Sequence, residues 1–399
     1  MNAPDPIQPS HVMNTYARLP VTFARGEGAW LWDEQGRQYL DALAGIAVNG
    51  LGHAHPKFVA ALTDQIGKLI HTSNIYGVRH QETLAARLCE LSGMDEVFFV
   101  STGAEANENA IKLARFYGYK HDKKFIKTIV MERAWHGRTI ATLAATDSEK
   151  ARKGFGPMQD ECFVRVPYNS IEAIRSAAEQ HPEINSVMLE VLQGEGGINV
   201  ADAEFLRALR KLCDERDWLL ILDEVQCGIG RTGKWFGYQN TGVMPDAITL
   251  AKGLGSGVPV AALAVHGKAA HLFGPGNMGT TFGGGPLAMR AGIETLRILE
   301  EDGLLANATR VGEHLRGAFK RALADVAGVK DVRGLGLMIG IELDRPCGVL
   351  VQRALDAGLL INVTRDQVIR LLPPLIMSTS EADQLVAVLV PLIQAFLRE

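Results

Sequence analysis

The sequence predicts an α/β fold, with a large domain on a mostly parallel seven-stranded sheet and a small α+β domain assembled from both ends of the chain. Three observations carry that expectation. From about residue 60, short apolar runs alternate with amphipathic helical segments, the pattern of βαβ units. Two of these runs stop on opposite charges, Trp218–Leu222 on Asp223 and Ala247–Ala251 on Lys252. Buried parallel strands read this way when their carboxyl ends open on a crevice. After Pro286 the rhythm changes to longer helices, which marks a second unit.

Residues 1–20 are polar and proline-containing and are expected to wander before the fold begins. Gly28–Asp41 alternates apolar and polar residues around Asp33-Glu-Gln-Gly36, a hairpin signature. Strands are then expected at Val97–Val100, Lys127–Met131, Phe163–Val166, Val187–Val191, Trp218–Leu222, Ala247–Ala251 and Val260–Val265. Helices are expected between them at Gln81–Leu91, Ala106–Tyr119, Ile171–Glu179 and Ala203–Arg216. The later part predicts helices at Leu287–Glu301 and Leu304–Val326, a strand at Gly336–Leu343, and helices near Val351–Ala357 and at Glu381–Arg398. The boundaries that follow are 1–58 for an N-terminal segment of the small domain, 59–286 for the large domain and 287–399 for the rest of the small domain.

A chain of 399 residues is too long for one ordinary core, and 47% hydrophobic with 22% charged residues is a globular composition. A net charge of −4 gives no basic footprint for nucleic acid. The longest apolar stretch, Leu385–Leu397, is interrupted by Pro391 and Gln394 and reads as too short to span a bilayer. Met1-Asn-Ala-Pro-Asp-Pro lacks the basic and apolar regions of a signal peptide. The five cysteines form no CxxC pair and read as reduced thiols, so a cytoplasmic location without a membrane partner is expected.

The chemistry starts from the two charges. A buried Asp needs a cationic partner, and a Lys in an apolar setting becomes a usable amine nucleophile. Pyridoxal 5'-phosphate requires both, a lysine for its Schiff base and an acid at its ring nitrogen. Asp223 also reads as a structural carboxylate capping a loop. Glu96–Val100 runs into Ser101-Thr-Gly103-Ala104-Glu-Ala-Asn, which opens a helix. Simple N-capping accounts for it, and so does a phosphate cup in which the Gly103 and Ala104 N–H groups face an anion. Gln226, just beyond Asp223, is placed to reach the phenolic oxygen of such a ring. In Ala134-Trp135-His136-Gly137-Arg138-Thr139 an aromatic suits stacking on a flat ring and Arg138 suits a carboxylate, although a core Trp and a surface Arg would look the same. Arg370 lies in the apolar run Val368-Ile-Arg-Leu-Leu-Pro-Pro, where an arginine is paired or functional. His53 and His55 have no Cys, Asp or Glu to complete a site, so no metal is expected.

A nucleotide hydrolase is the competing reading. Leu219-Leu-Ile-Leu-Asp-Glu resembles a Walker B strand, and Gly228-Ile-Gly-Arg-Thr-Gly233-Lys234 matches GxxxxGK. Trp235 stands where a P-loop needs a hydroxyl for Mg²⁺, and the acidic strand precedes the loop instead of following it. Both departures disfavour it.

Taken together the segments resemble the class III, fold-type I pyridoxal-phosphate-dependent aminotransferases, over about Gly26 to Pro374. The marks are Leu222-Asp-Glu-Val-Gln226, Gly228-Ile-Gly-Arg-Thr-Gly233, Leu250-Ala-Lys252-Gly and Thr280-Thr-Phe-Gly-Gly-Gly-Pro286. Within the class, Gly45-Ile-Ala-Val-Asn-Gly-Leu-Gly-His-Ala-His-Pro56 and Gln193-Gly-Glu195-Gly-Gly are most similar to the acetylornithine aminotransferase branch. The resemblance implies that Lys252 bonds the cofactor aldehyde, Asp223 pairs with the ring nitrogen, Gln226 contacts the ring oxygen and Trp135 stacks on the ring. It implies that Gly103 and Ala104 bind the phosphate, and that Thr281 reaches it from the other subunit of a homodimer. Arg138 and Arg370 become carboxylate binders, with Glu195 paired to Arg370 until glutamate displaces it. The implied reaction moves the distal amine of N2-acetyl-L-ornithine to 2-oxoglutarate. Ornithine, succinylornithine, succinyldiaminopimelate and 4-aminobutyrate are the alternative donors, and the 1,2-aminomutase branch and a non-catalytic carrier are further readings. Three positions depart from the class: Val191 for a common Pro, Arg133 for a frequent Asn and Gly285 for a frequent Asn.

Overall fold

In the computed structural model, which describes residues 11–399, the seven apolar runs form one sheet. Its order is Glu96–Val100, Ala261–Val265, Ala247–Leu250, Leu219–Asp223, Ile184–Glu190, Lys127–Met131, Phe163–Val166. Ala261–Val265 is antiparallel to both its neighbours, and the other pairings are parallel. Ile184–Glu190, Leu219–Asp223 and Ala247–Leu250 are buried at every position. That is why they read as unbroken apolar runs and not as alternating ones. The Ile184 strand starts earlier than its apolar residues suggest because its polar members are satisfied inside the fold. Asn185 donates to the Ala114 carbonyl at 2.7 Å, and Ser186 bonds Thr128 at 2.8 Å.

The helices between strands follow from their caps and faces. Thr102 accepts from the Glu105 N–H, and Glu105 reaches back to the Thr102 N–H, a capping box that starts helix Gly103–Lys120. Ser170 starts Ile171–Gln180 by a simpler cap, its hydroxyl accepting from the Ala173 N–H. Gly93, at φ 74, ends Arg79–Ser92 in the left-handed conformation that glycine adopts freely.

Both chain ends meet outside this sheet. Phe23–Glu27, Trp30–Asp33 and Gln38–Asp41 form an antiparallel sheet, which the C-terminal strand Leu359–Leu360 joins in parallel beside Gln38–Asp41. Trp30 Nε1 donates to Glu381 Oε1 at 2.9 Å across the same junction. A further sheet runs Val329–Leu335, Met338–Leu343, Val368–Leu371, Asn362–Thr364. The helix Pro56–Ile66 packs on Pro286–Glu301 and runs across the expected boundary at residue 58. Of the expected wandering lead, residues 1–10 lie outside the described residues, and 11–20 are exposed without regular structure.

The last helix departs from the reading of its apolar stretch. It runs Thr379–Arg398 with Pro391 inside it, and by length and composition alone it is long and apolar enough to cross a membrane. Its Ala382, Leu385, Leu389, Ile393 and Phe396 form one buried stripe, and the helix packs against Leu304–Ala322 and Val349–Asp356. A one-sided stripe of this spacing is the packing face of a globular helix.

Helix Leu304–Ala322 touches the turn of the Val329–Leu343 hairpin backbone to backbone. A Cβ at Gly312 would lie 2.0 Å from the Gly336 carbonyl oxygen, with no side chain free to yield. Gly312→Ala therefore lowers the unfolding free energy by about 2–3 kcal/mol in urea titration, and a loss below about 0.5 kcal/mol contradicts this packing.

Candidate active site

The carboxyl ends of the central strands open on a cavity of about 460 Å³. Parallel strands with matched register place their last side chains side by side. Asp223 pairs in register with Glu190 on one neighbour and Thr249 on the other, and Lys252 follows two residues after the end of that second neighbour. Lys252 has φ 45, a left-handed conformation that a non-glycine residue adopts only where its surroundings enforce it.

Asp223 is 3% exposed, so its carboxylate depends on protein partners. Its Oδ2 accepts from Asn107 Nδ2 at 2.8 Å and bonds His136 Nδ1 at 2.8 Å, while Oδ1 accepts from the Val225 N–H at 3.0 Å. Asn107 is held in turn by Thr249 Oγ1, which donates to its Oδ1 at 2.7 Å, and it also donates to the His136 carbonyl at 2.7 Å. His136 Nε2 is buried without a hydrogen-bond partner.

Glu190 is a second acid on the cavity wall. Its Oε1 accepts from the Trp135 N–H and its Oε2 from the Gly194 N–H, both at 2.9 Å. Burial pushes its pKa up to about 7, and Asp223 next to it adds to the shift, against the opposing pull of His136 and the two N–H donors. The amine of Lys252 moves the other way. Burial and then the Arg370 guanidinium lower its pKa to about 8, while Glu195, Asp223 and Glu190 resist. Among the described residues its Nζ makes no hydrogen bond or ion pair.

The helix start at Ser101–Ala104 forms one wall. Glu105 accepts from the Ser101 and Thr102 N–H groups, which leaves the Gly103 and Ala104 N–H groups without an intrahelical acceptor. A Cβ at Gly103 would stand 2.8 Å from Val225 Cγ1, so only glycine lets the helix end sit this close to the strand end. The capping expected from the sequence forms, and it leaves the Gly103 and Ala104 N–H groups unused at the cavity edge. Trp135, half-buried, lines the cavity from the loop packed against this helix start, and the Arg138 guanidinium lies 5.0 Å from its ring centre.

Arg370 is fully buried behind Glu195 and Gln226. Its Nη1 donates to Glu195 Oε1 at 2.6 Å and to Gln226 Oε1 at 3.3 Å, and its Nε donates to Asn362 Oδ1 at 2.9 Å. Its Nη2 is buried with no partner. Lys252, Asp223, Gly103, Ala104, Trp135, Gln226, Arg138 and Glu195 all line the one cavity, and Arg370 reaches it through Glu195 and Gln226. Thr281 does not line it: this residue is exposed and lies elsewhere on the surface. Arg133 holds φ 62, a conformation that Asn adopts more easily, and its carbonyl oxygen packs on Gly196. Sequence reasoning gave no role to Asn107, His136 or Glu190. Glu190 carried a usable signal, because it too closes an apolar run, Val187–Leu189.

The Gly228–Lys234 loop is not a phosphate cradle. No α-helix follows it, and Arg231 is buried, donating to the Leu337 carbonyl at 3.1 Å and the Pro373 carbonyl at 2.5 Å.

An unpaired lysine of lowered pKa, a buried acid, an orphaned imidazole nitrogen, a half-buried aromatic wall and a helix start closed to any Cβ fit a flat, phosphorylated aldehyde cofactor. The chain belongs to the class-III aminotransferases: the family model described as "Aminotransferase class-III" matches residues 12–393. It is a pyridoxal-phosphate-dependent transaminase of fold type I.

Among individual proteins, it is 60% identical to acetylornithine aminotransferase 1 of Bordetella bronchiseptica over 98% of this chain and 99% of that one. It is 56% identical to the acetylornithine aminotransferase of Nitrosomonas europaea, covering 97% and 98%. The crystal structure of N-acetylornithine aminotransferase from Stenotrophomonas maltophilia superposes with a TM-score of 0.83 at 35% identity, covering 95% and 96%. The ornithine aminotransferase of Toxoplasma gondii does so with 0.92 at 33%, covering 97% and 93%.

The lysine environment makes a prediction that needs no cofactor. In the cofactor-free chain, reductive methylation of Lys252 with formaldehyde, read by peptide mapping, has its midpoint near pH 8 because the protonated amine below that pH does not react. A midpoint at the ordinary lysine value of 10.5 contradicts the burial described above.

Proposed function

We propose that this chain moves the distal amine of N2-acetyl-L-ornithine to 2-oxoglutarate, giving N-acetylglutamate 5-semialdehyde and L-glutamate, a step of arginine biosynthesis. The observation that carries the reading is the Arg370–Glu195 pair, with one guanidinium nitrogen buried and unpartnered. The two substrates differ in what lies beside the reacting carbon. The distal carbon of acetylornithine carries no carboxylate, and the reacting carbon of glutamate does. Arg370 occupied by Glu195 suits the first, and Arg370 released suits the second, because a guanidinium grips a carboxylate through two nitrogens at once. Arg138, exposed at the rim over Trp135, is left for the carboxylate that both substrates keep at their far ends.

The roles assigned to the other residues follow the same geometry. Gly103 and Ala104 would hold the cofactor phosphate at the helix start, Trp135 would cover the ring, Gln226 would meet its oxygen and Asp223 its nitrogen. Bound there, the cofactor supplies an aldehyde for the substrate amine and a ring that withdraws electrons. Asp223, fixed by Asn107 and His136, would offer the ring nitrogen a carboxylate that favours its protonated form. Lys252, its pKa lowered to about 8, would take up and release a proton at Nζ beside the reacting carbon.

A homodimer completes the reading. Thr281 sits among exposed apolar side chains, Ile70, Ile75, Tyr76 and Phe282, with Asn74 donating to the Thr280 carbonyl at 3.2 Å. An exposed apolar cluster of this kind marks a protein contact. It supports delivery of Thr281 to a neighbouring subunit's phosphate site. The division into a 59–286 unit and a unit from both ends rests on the Leu359–Leu360 pairing with Gln38–Asp41. The working location is the cytoplasm.

Single-turnover bleaching of the cofactor-loaded protein ranks the donors. Acetylornithine reacts at least about tenfold faster than ornithine, succinyldiaminopimelate or 4-aminobutyrate. A faster reaction with any of these three overturns the assignment of the donor and leaves the class untouched.

A further inference from the structure

We propose that Glu190 is a positioning residue that couples the Glu195–Arg370 gate to the Trp135 wall of the cavity. The inference rests on the gate reading above and adds to it the part that transmits its movement. Glu190 ends the strand between Leu219–Asp223 and Lys127–Met131. Its carboxylate is shared between two loops: one oxygen accepts from Trp135, after the Lys127–Met131 strand, and the other from Gly194, adjacent to Glu195.

The two loops touch at further points. Gln193 Nε2 donates to the Glu132 carbonyl at 2.8 Å, and a Cβ at Gly196 would stand 2.7 Å from the Arg133 carbonyl oxygen. Any backbone shift at Glu195 as it leaves Arg370 passes directly to Gly194, and Gly194 is bonded to the same carboxylate as Trp135. The chemistry of the residue supports a role beyond capping. A second acid beside Asp223 is unfavourable where both are buried, and an amide would satisfy one N–H without that repulsion. Asp223, His136, Lys252, the Cys227 thiol and Tyr168, whose hydroxyl donates to the Glu190 carbonyl at 2.8 Å, are the ionisable groups that face it.

The test uses the holoenzyme and glutarate, a dicarboxylate with neither amine nor keto group. Intrinsic fluorescence is followed as glutarate binds, and the part that disappears in Trp135→Phe is assigned to Trp135. In the wild type, glutarate opens the gate and the Trp135 signal changes. In Glu190→Gln, glutarate still binds, with its Kd altered no more than about threefold, but the Trp135 change falls to less than about half. Glu190→Asp, which keeps the charge and draws it back, serves as the second variant and shows the same loss should the amide fail to fold. A wild-type Trp135 change in either folded variant overturns the proposal. Glu195→Gln is the separate arm for the gate: removing the competing carboxylate tightens glutarate about tenfold. An unchanged affinity in that arm removes the gate, and the coupling with it, independently of Glu190.

Discussion

Asp223 stands at the end of a strand with no exposed residue, and keeping that carboxylate hydrogen-bonded away from water constrains everything around the cavity. An isolated buried carboxylate costs several kcal/mol, so its partners have to come from elements that are themselves fixed. Asn107 comes from one turn inside a capped helix and is held by Thr249 on the next strand, and His136 comes from the loop that carries Trp135. The hydrogen bonds that satisfy one acid thereby set the distance between the helix start, the aromatic wall and the strand ends. A site assembled this way is preorganised by the fold before any cofactor enters it.

The opposite side of the cavity is governed by positive charge. Burial, and after it the nearby Arg370 guanidinium, lowers the Lys252 pKa, while Arg370 itself is held by Glu195. The cavity thus holds an unpaired amine and a paired guanidinium side by side. The left-handed backbone at Lys252 and the glycines around Glu195 mark where the chain accepts local strain or freedom for this purpose.

Much of this was legible in the sequence because burial leaves a plain trace. Strands covered on both faces appear as unbroken apolar runs, and a charge that ends such a run needs a partner, which is how Asp223 and Lys252 stood out. Glu190 obeys the same rule and was passed over, since Val191 after it is apolar and hides the strand end. Asn107 and His136 could not be read, because their partner lies 116 and 87 positions away and hydrogen bonds leave no periodic mark. The strands at Val329–Leu335 and Asn362–Thr364 were missed because most of their residues are only half-buried and mix polar or charged side chains with apolar ones. At the C-terminus the expected helix Glu381–Arg398 forms, running Thr379–Arg398 through Pro391.

The central claim is that Lys252 and Asp223 occupy separate places on one cofactor, the lysine on its aldehyde carbon and the acid at its ring nitrogen. Borohydride reduction of the pyridoxal-phosphate-loaded protein, followed by peptide mapping, tests the lysine half directly. A single reduced adduct on the peptide carrying Lys252 is the predicted result. An adduct on another lysine, or none, would contradict the account.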